Sequence, residues 1–239
     1  MFRQIFGNMP DVVKNLLILN VLFFLATAVL QGQGINLQVY LSMFFPTSIF
    51  FEPYQIITHF FMHADLFHIL FNMVGLVVFG SHLERTWGKK RFFTYYIITA
   101  LGAMVLHTGW EAFEIYQYTG RWFPTLDQLV PLVESGAISI EGFEQSIKIV
   151  NSPTLGASGA VYGLLMAFAL LFPNTQFMLL FPPIPIKAKW LALILGGIAV
   201  YSGFIQSDGG SIAHVAHLGG MVFGFIMIKI WQRDKTKFY

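Results

Sequence analysis

The sequence predicts an all-α fold: a polytopic membrane protein built as a bundle of six transmembrane helices. Three observations carry this. Of 239 residues, 56% are hydrophobic and only 11% charged, and the mean hydropathy is +0.65. The apolar residues gather in several long runs, which excludes a soluble globular domain. The runs are continuous, whereas barrel strands alternate apolar and polar with period two, so helices are the expected spanning element. The chain has no cysteine and a net charge of +2. Disulfide and thiol chemistry are therefore out of reach, and nothing points to nucleic acid as a partner.

In chain order, Met1 to Lys14 is a short, mildly amphipathic lead. The first span, Leu16 to Leu30, is not followed by a small-residue cleavage site and is read as an uncleaved helix. The connection from Gln31 to Gln55 contains LSMFFPTSIFFEPYQ and is expected to lie in the membrane interface, which favours aromatic side chains. Further spans are expected over 64–80, 92–107, 158–172, 188–205 and 213–231. The outer segment 108–153 reads as an insertion of two short amphipathic helices separated by Gly136. Residues 1–239 are expected to form a single domain, with no seventh span and no extra N-terminal domain.

Orientation follows from the cations. With the N-terminus inside, twelve of the fourteen lysines and arginines fall in inner segments, and only Arg121 and Lys148 fall outside. That bias predicts two cytoplasmic termini, as in the inner membrane of a bacterium. Asp65, Glu111, Glu114 and Asp208 are among the acids placed outside.

Polar residues inside spans are costly and suggest function. His68 and Asn72 lie four apart on one face of the second span; His59 and His63 precede it. Ser158 opens the fourth span between Gly156 and Gly159, with Tyr162 one turn on, and His214 and His217 open the sixth. Spans two, four and six run in the same direction, so His68, Ser158 and His217 fall in one outer layer. Gly159-x-x-x-Gly163 and Gly220-x-x-x-Gly224 both permit close helix approach. Spacing alone leaves Ser158 open to two readings, a small residue in a packing face or a nucleophile. A metal centre lacks support: there is no H-E-x-x-H, and Asp65 is the sole carboxylate near His59 and His63. Those two histidines are expected to hydrogen-bond at the helix start.

Four stretches in this order, HADLFHILFN, LERTWG, GASGAVYG and AHLGG, resemble the rhomboid family of intramembrane serine proteases. The likeness covers about Glu52 to Gly224. It implies a rhomboid-like six-helix bundle with Ser158 as nucleophile and His217 as general base, and no cofactor or metal. It also implies an oxyanion site from His68, Asn72 and the Ser158 amide. Tyr162 would hold the His217 ring, Gly156 and Gly159 would let the loop turn and approach substrate, and His63 would line a water-accessible cavity. Glu84, Arg85 and Gly88 fall in an inner structural turn; His214 reads as a core histidine. Where many members have Trp-Arg, this chain has Tyr54-Gln55, which bears on how the interfacial loop sits.

The implied activity is endoproteolysis of single-span membrane proteins within or near their outer transmembrane segment, with the lipid bilayer as surroundings. The fifth span and the loop Gln206 to Ser211 would gate lateral entry. A catalytically inactive, client-binding relative is the alternative, and a small transporter is a further one. Oligomeric state is not implied either way.

Overall fold

The computed structural model describes residues 9–178, 183–204 and 211–233, with backbone alone at 204 and 211–213. Segment 205–210, with Asp208 and most of the expected gate loop, lies outside the described residues. Helix α1 (Asp11–Gln31) starts behind Pro10, five residues ahead of the expected Leu16. The first amides of a helix have no intrahelical acceptor, a heavy cost near lipid. Here the Val12 and Val13 amides donate to the two carboxylate oxygens of buried Glu84, at 3.0 and 2.9 Å. Glu84, in the inner turn, is thus the cap of a different helix.

The aromatic connection that follows carries the short helices α2 (Leu37–Leu41) and α3 (Gln55–Thr58). Fully buried Gln55 ties it together. Its amide nitrogen donates to the carbonyls of Tyr40 (3.1 Å) and Phe50 (2.8 Å), and its oxygen accepts from the Phe44 and Glu52 amides.

Helix α4 (Leu66–Trp87) contains a π turn over Leu76–Gly80. The Asp65 carboxylate accepts the His68 amide at 2.8 Å. Asp65 is therefore an N-cap and the helix begins after it, two residues later than Ala64. Gly88, with φ +78°, breaks the chain direction before α5.

Helix α5 (Lys89–Thr119) runs twelve residues past the expected end at His107. At ~1.5 Å per residue its 31 residues reach roughly 46 Å, against ~30 Å of hydrocarbon. Hydropathy falls where the helix leaves the apolar layer, but nothing there stops the backbone ladder until Gly120 in the left-handed region, φ +67°. The outer segment 108–153 is consequently not a separate connection from its start. Its first part is α5 itself, and α6 (Leu126–Glu134) and α7 (Ile140–Val150) fold back so that α7 packs on α5. Glu111, expected in an outer loop, is a buried α5 residue.

Helix α8 (Ser158–Leu171) leads into a two-stranded antiparallel ribbon, β1 (Gln176–Met178) with β2 (Pro185–Lys187), pairing Phe177 with Ile186. Hydropathy gave no sign of this accessory to the all-α bundle. Helices α9 (Ala188–Phe204) and α10 (Ser211–Arg233) complete the described chain. Among the described residues four helices, α1, α4, α5 and α10, are long and apolar enough to cross a membrane; α8 and α9 are shorter apolar helices. Leu22, Leu25 and Val29 of α1 and Leu193, Ile194 and Tyr201 of α9 face outward, as in a bundle whose solvent is lipid.

The centre is the contact of α10 with α5 and α8. Lipid tails are as apolar as side chains, so helix association here depends on close packing. A Cβ on Gly220 would collide with the Gly159 carbonyl, and one on Gly224 would meet the Tyr95 hydroxyl and the Gly163 backbone. Gly219 rests on Ala103 of α5. The Tyr95 hydroxyl donates to the Gly163 carbonyl at 2.8 Å. The two small-xxx-small patterns thus face each other, residue against residue.

Candidate active site

Ser158 is the first residue of α8. A 14-residue helix is about 21 Å long, roughly 9 Å short of the hydrocarbon thickness. A helix this short does not cross that layer end to end, and Ser158 stands at its N-terminal end, next to the loop that precedes it. That loop is pinned to its neighbours. Thr154 and Met43 exchange backbone hydrogen bonds of 2.8 and 2.7 Å, and the Gly156 amide donates to the His59 carbonyl at 2.9 Å. Gly156 has φ +123°, and a Cβ there would press on the His68 ring at 2.9 Å while lying 3.7 Å from Ser158 Oγ. Only glycine fits this turn, and its bareness lets His68 approach the serine.

His217 arrives from α10. Its ring stacks on Tyr162 with centroids 4.1 Å apart and planes 4° from parallel. Tyr162 lies four residues after Ser158, one turn further along the same face of α8. The Gly159–Gly220 contact brings the two backbones together at this level, so the stacked imidazole sits beside the helix end that carries the hydroxyl. Among the described residues, Ser158 and His217 form no direct hydrogen bond, and His217 Nδ1 is buried with no hydrogen-bond partner. His214 stands edge-on to His217, with centroids 5.9 Å apart. It is half-buried rather than a core residue.

His68 has a defined tautomer. Its Nδ1 accepts the Ala64 amide at 3.3 Å, so in the neutral ring the proton is on Nε2, one of the two ring atoms nearest Gly156. Asn72 donates through Nδ2 to the His68 carbonyl at 2.9 Å, within its own turn. It makes no hydrogen bond to Ser158 in this structure.

His63 departs from expectation. It is 2% exposed, packed edge-on against His68 at 5.1 Å, and both ring nitrogens lack partners. It backs the His68 ring and is itself closed off from solvent. Burial, reinforced by His68, pushes its imidazole down to about 4. His59 bonds away from the start of α4, its Nδ1 lying 2.7 Å from the carbonyl of Gln55, the first residue of the short helix α3. Burial takes it to about 4 as well, so both rings are neutral at neutral pH. Among the described residues no three His, Asp or Glu side chains converge as a metal-binding set.

Sequence reasoning passed over Gln55, Thr154, His107 and Glu111. Gln55 was visible only as a departure from a family pair. His107 and Glu111 carry a signal in their spacing of four, legible once the helix is known to continue through them.

The structure is a helical bundle of the membrane class, with Ser158, His68 and His217 gathered around the first turn of the short helix α8. The chain belongs to the rhomboid family: the profile of the Rhomboid domain matches residues 51–233. It is similar to Rhomboid protein 1, mitochondrial, of Saccharomyces cerevisiae, 29% identical over 70% of this chain and 38% of that protein. It is also similar to RHOMBOID-like protein 12, mitochondrial, of Arabidopsis thaliana, 29% identical over 75% of this chain and 46% of that protein. Rhomboid protease GlpG of Salmonella newport is 24% identical over 87% of this chain and 58% of its own length. The chain thus spans between about two-fifths and three-fifths of these relatives. The family includes serine intramembrane proteases and makes this a multi-pass membrane protein. Relatives from mitochondria as well as from a bacterium do not single out a bacterial plasma membrane.

Proposed function

We propose that this protein is an intramembrane serine endopeptidase whose single rhomboid-like domain spans residues 1–239. Ser158 Oγ attacks the scissile carbonyl, and His217 takes the hydroxyl proton and returns it to the leaving amine. Water then releases the acyl group by the reverse proton path. His68 Nε2–H, the Asn72 amide and the Ser158 N–H receive the oxyanion, each worth a few kcal/mol in a water-poor site. Tyr162 does the orienting that a carboxylate does in a triad. The observation that carries this reading is the parallel stack of His217 on Tyr162, 4.1 Å apart, one turn from Ser158. The missing Ser158–His217 hydrogen bond is compatible with it, because such bonds tighten when substrate arrives.

The substrates are single-span membrane proteins cut in or near the outer end of the span. A helical peptide bond is shielded by its own hydrogen bonding, so the substrate must unwind to reach a serine held below the surface. The excess of inner cations orients both termini to the cytoplasm.

The test is cleavage of a transmembrane model substrate by purified protein in liposomes, with Ser158→Ala and His217→Ala beside it, with and without a chelator. Cleavage by wild type alone, indifferent to chelator, supports the dyad. Cleavage surviving both substitutions overturns it. If no form cleaves and a fluorophosphonate fails to label Ser158, the client-binding alternative takes its place.

A further inference from the structure

Outward of the seam lies a buried pair on α5 that the proposed dyad does not use. His107 is 1% exposed and Glu111 2%, one helical turn apart, with His107 Nε2 3.3 Å from Glu111 Oε1. The same Nε2 lies 2.6 Å from Thr154 Oγ1. In either ring tautomer Nε2 and the threonine hydroxyl can make one hydrogen bond, the imidazole donating in one case and the hydroxyl in the other. Two ionisable groups buried in a membrane helix are costly unless they hold something in place.

What they hold is the loop before Ser158. Thr154 lies four residues upstream of the hydroxyl. Its backbone is already paired to Met43, and two residues on, the Gly156 amide is anchored to His59. Those backbone bonds fix the loop against α3 and the interfacial connection. The His107 bond is the side-chain tie that fixes it against α5, the helix that also packs on Gly159 and Gly219 through Ala103. Loop, nucleophile and the α10 histidine are thereby referred to one helix.

Resting on the Ser158–His217 assignment, we propose that His107 is a positioning residue that fixes the nucleophile loop through the Thr154 hydroxyl. Neither side chain touches substrate. The loss expected on removing the tie is in the chemical step, because a small misplacement of a nucleophile costs rate with little change in binding.

Four variants test it in the full chain: Thr154→Val, Thr154→Ser, His107→Phe and the Thr154→Val/His107→Phe double. Thr154→Val keeps the shape and removes the hydroxyl. It should lower kcat and the rate of fluorophosphonate labelling of Ser158 together by ~10-fold, with KM within about twofold. Thr154→Ser should restore both rates at an unchanged thermal midpoint. The double variant should be no worse than the poorer single, since one bond is lost in each. Amide hydrogen exchange of Gly156 to Gly159, by mass spectrometry, should quicken in Thr154→Val and not in Thr154→Ser. Unchanged exchange in Thr154→Val, or losses that multiply in the double variant, would overturn the proposal. Exchange is read without catalysis, so a wild-type protein that neither cleaves nor labels defeats the Ser158–His217 assignment while exchange still decides the loop's anchoring.

Discussion

The chain carries two adjacent glycine pairs in its last two described helices, and the structure treats them in opposite ways. Gly219-Gly220 of α10 lies in the seam with α8 and α5, where a Cβ on either residue would meet backbone atoms. Gly196-Gly197 of α9 has room. A Cβ on Gly197 would find nothing within 4 Å, and one on Gly196 only the flexible end of Met221. Leu164, Leu165 and Ala167 of α8 are buried, while α9 turns Leu193, Ile194, Ile198 and Tyr201 outward. Identical dipeptides in two apolar helices thus serve a close joint in one case and a loosely packed face in the other. The comparison separates a tightly packed joint from a more loosely packed helix, and on the proposed function the first holds Ser158 near His217.

The largest effect is expected from closing off the joint. Gly220→Ala should push α10 from α8 and carry His217 away from Ser158, cutting cleavage at least ~100-fold and stability by about 2 kcal/mol. Thermal unfolding in detergent and cleavage rates check this; a variant with normal activity would mean the seam is more yielding than its geometry. Next comes the freedom of α9. A cross-link pinning α9 to α4 should stop cleavage of transmembrane substrates while leaving fluorophosphonate labelling of Ser158 intact. Unaffected turnover would remove α9 as a gate. A smaller loss is expected from Tyr95→Phe, which deletes the hydrogen bond to the Gly163 carbonyl and should cost about 1 kcal/mol, seen as a lower midpoint with activity retained. The smallest change is Gly197→Ala, where added helix propensity in open space should leave the midpoint level or raise it, by up to ~1 kcal/mol. A marked loss there would erase the contrast between the pairs.

Where the hydropathy pattern failed, it did so for definable reasons. It ended the third span at His107 because polarity rises there, yet polarity marks the edge of the lipid and not the end of a hydrogen-bonded ladder. The buried Glu111 was therefore placed in solvent. It started the second span at Ala64 because apolar character cannot distinguish a helix from its cap, which Asp65 supplies. The ribbon of β1 and β2 has only three residues per strand, too few for any periodicity to register. The resemblance alone gave His63 a cavity; its ring is buried against that of His68.

The sequence by itself determined the solvent, the helical class and the family. Long apolar runs leave the backbone no option in lipid but to satisfy itself, and the four short motifs follow one another in an order that the chain fixes. It also determined that glycine-rich seams were available on α8 and α10. Only the tertiary structure decided that these seams meet, Gly220 on Gly159 and Gly224 on Gly163, and that His217 lies flat on Tyr162. Only it tied Thr154 to His107, 47 residues away. The reason is physical: hydropathy and propensity act along one helix, whereas which faces touch depends on where backbones can approach, and that is a property of two helices at once.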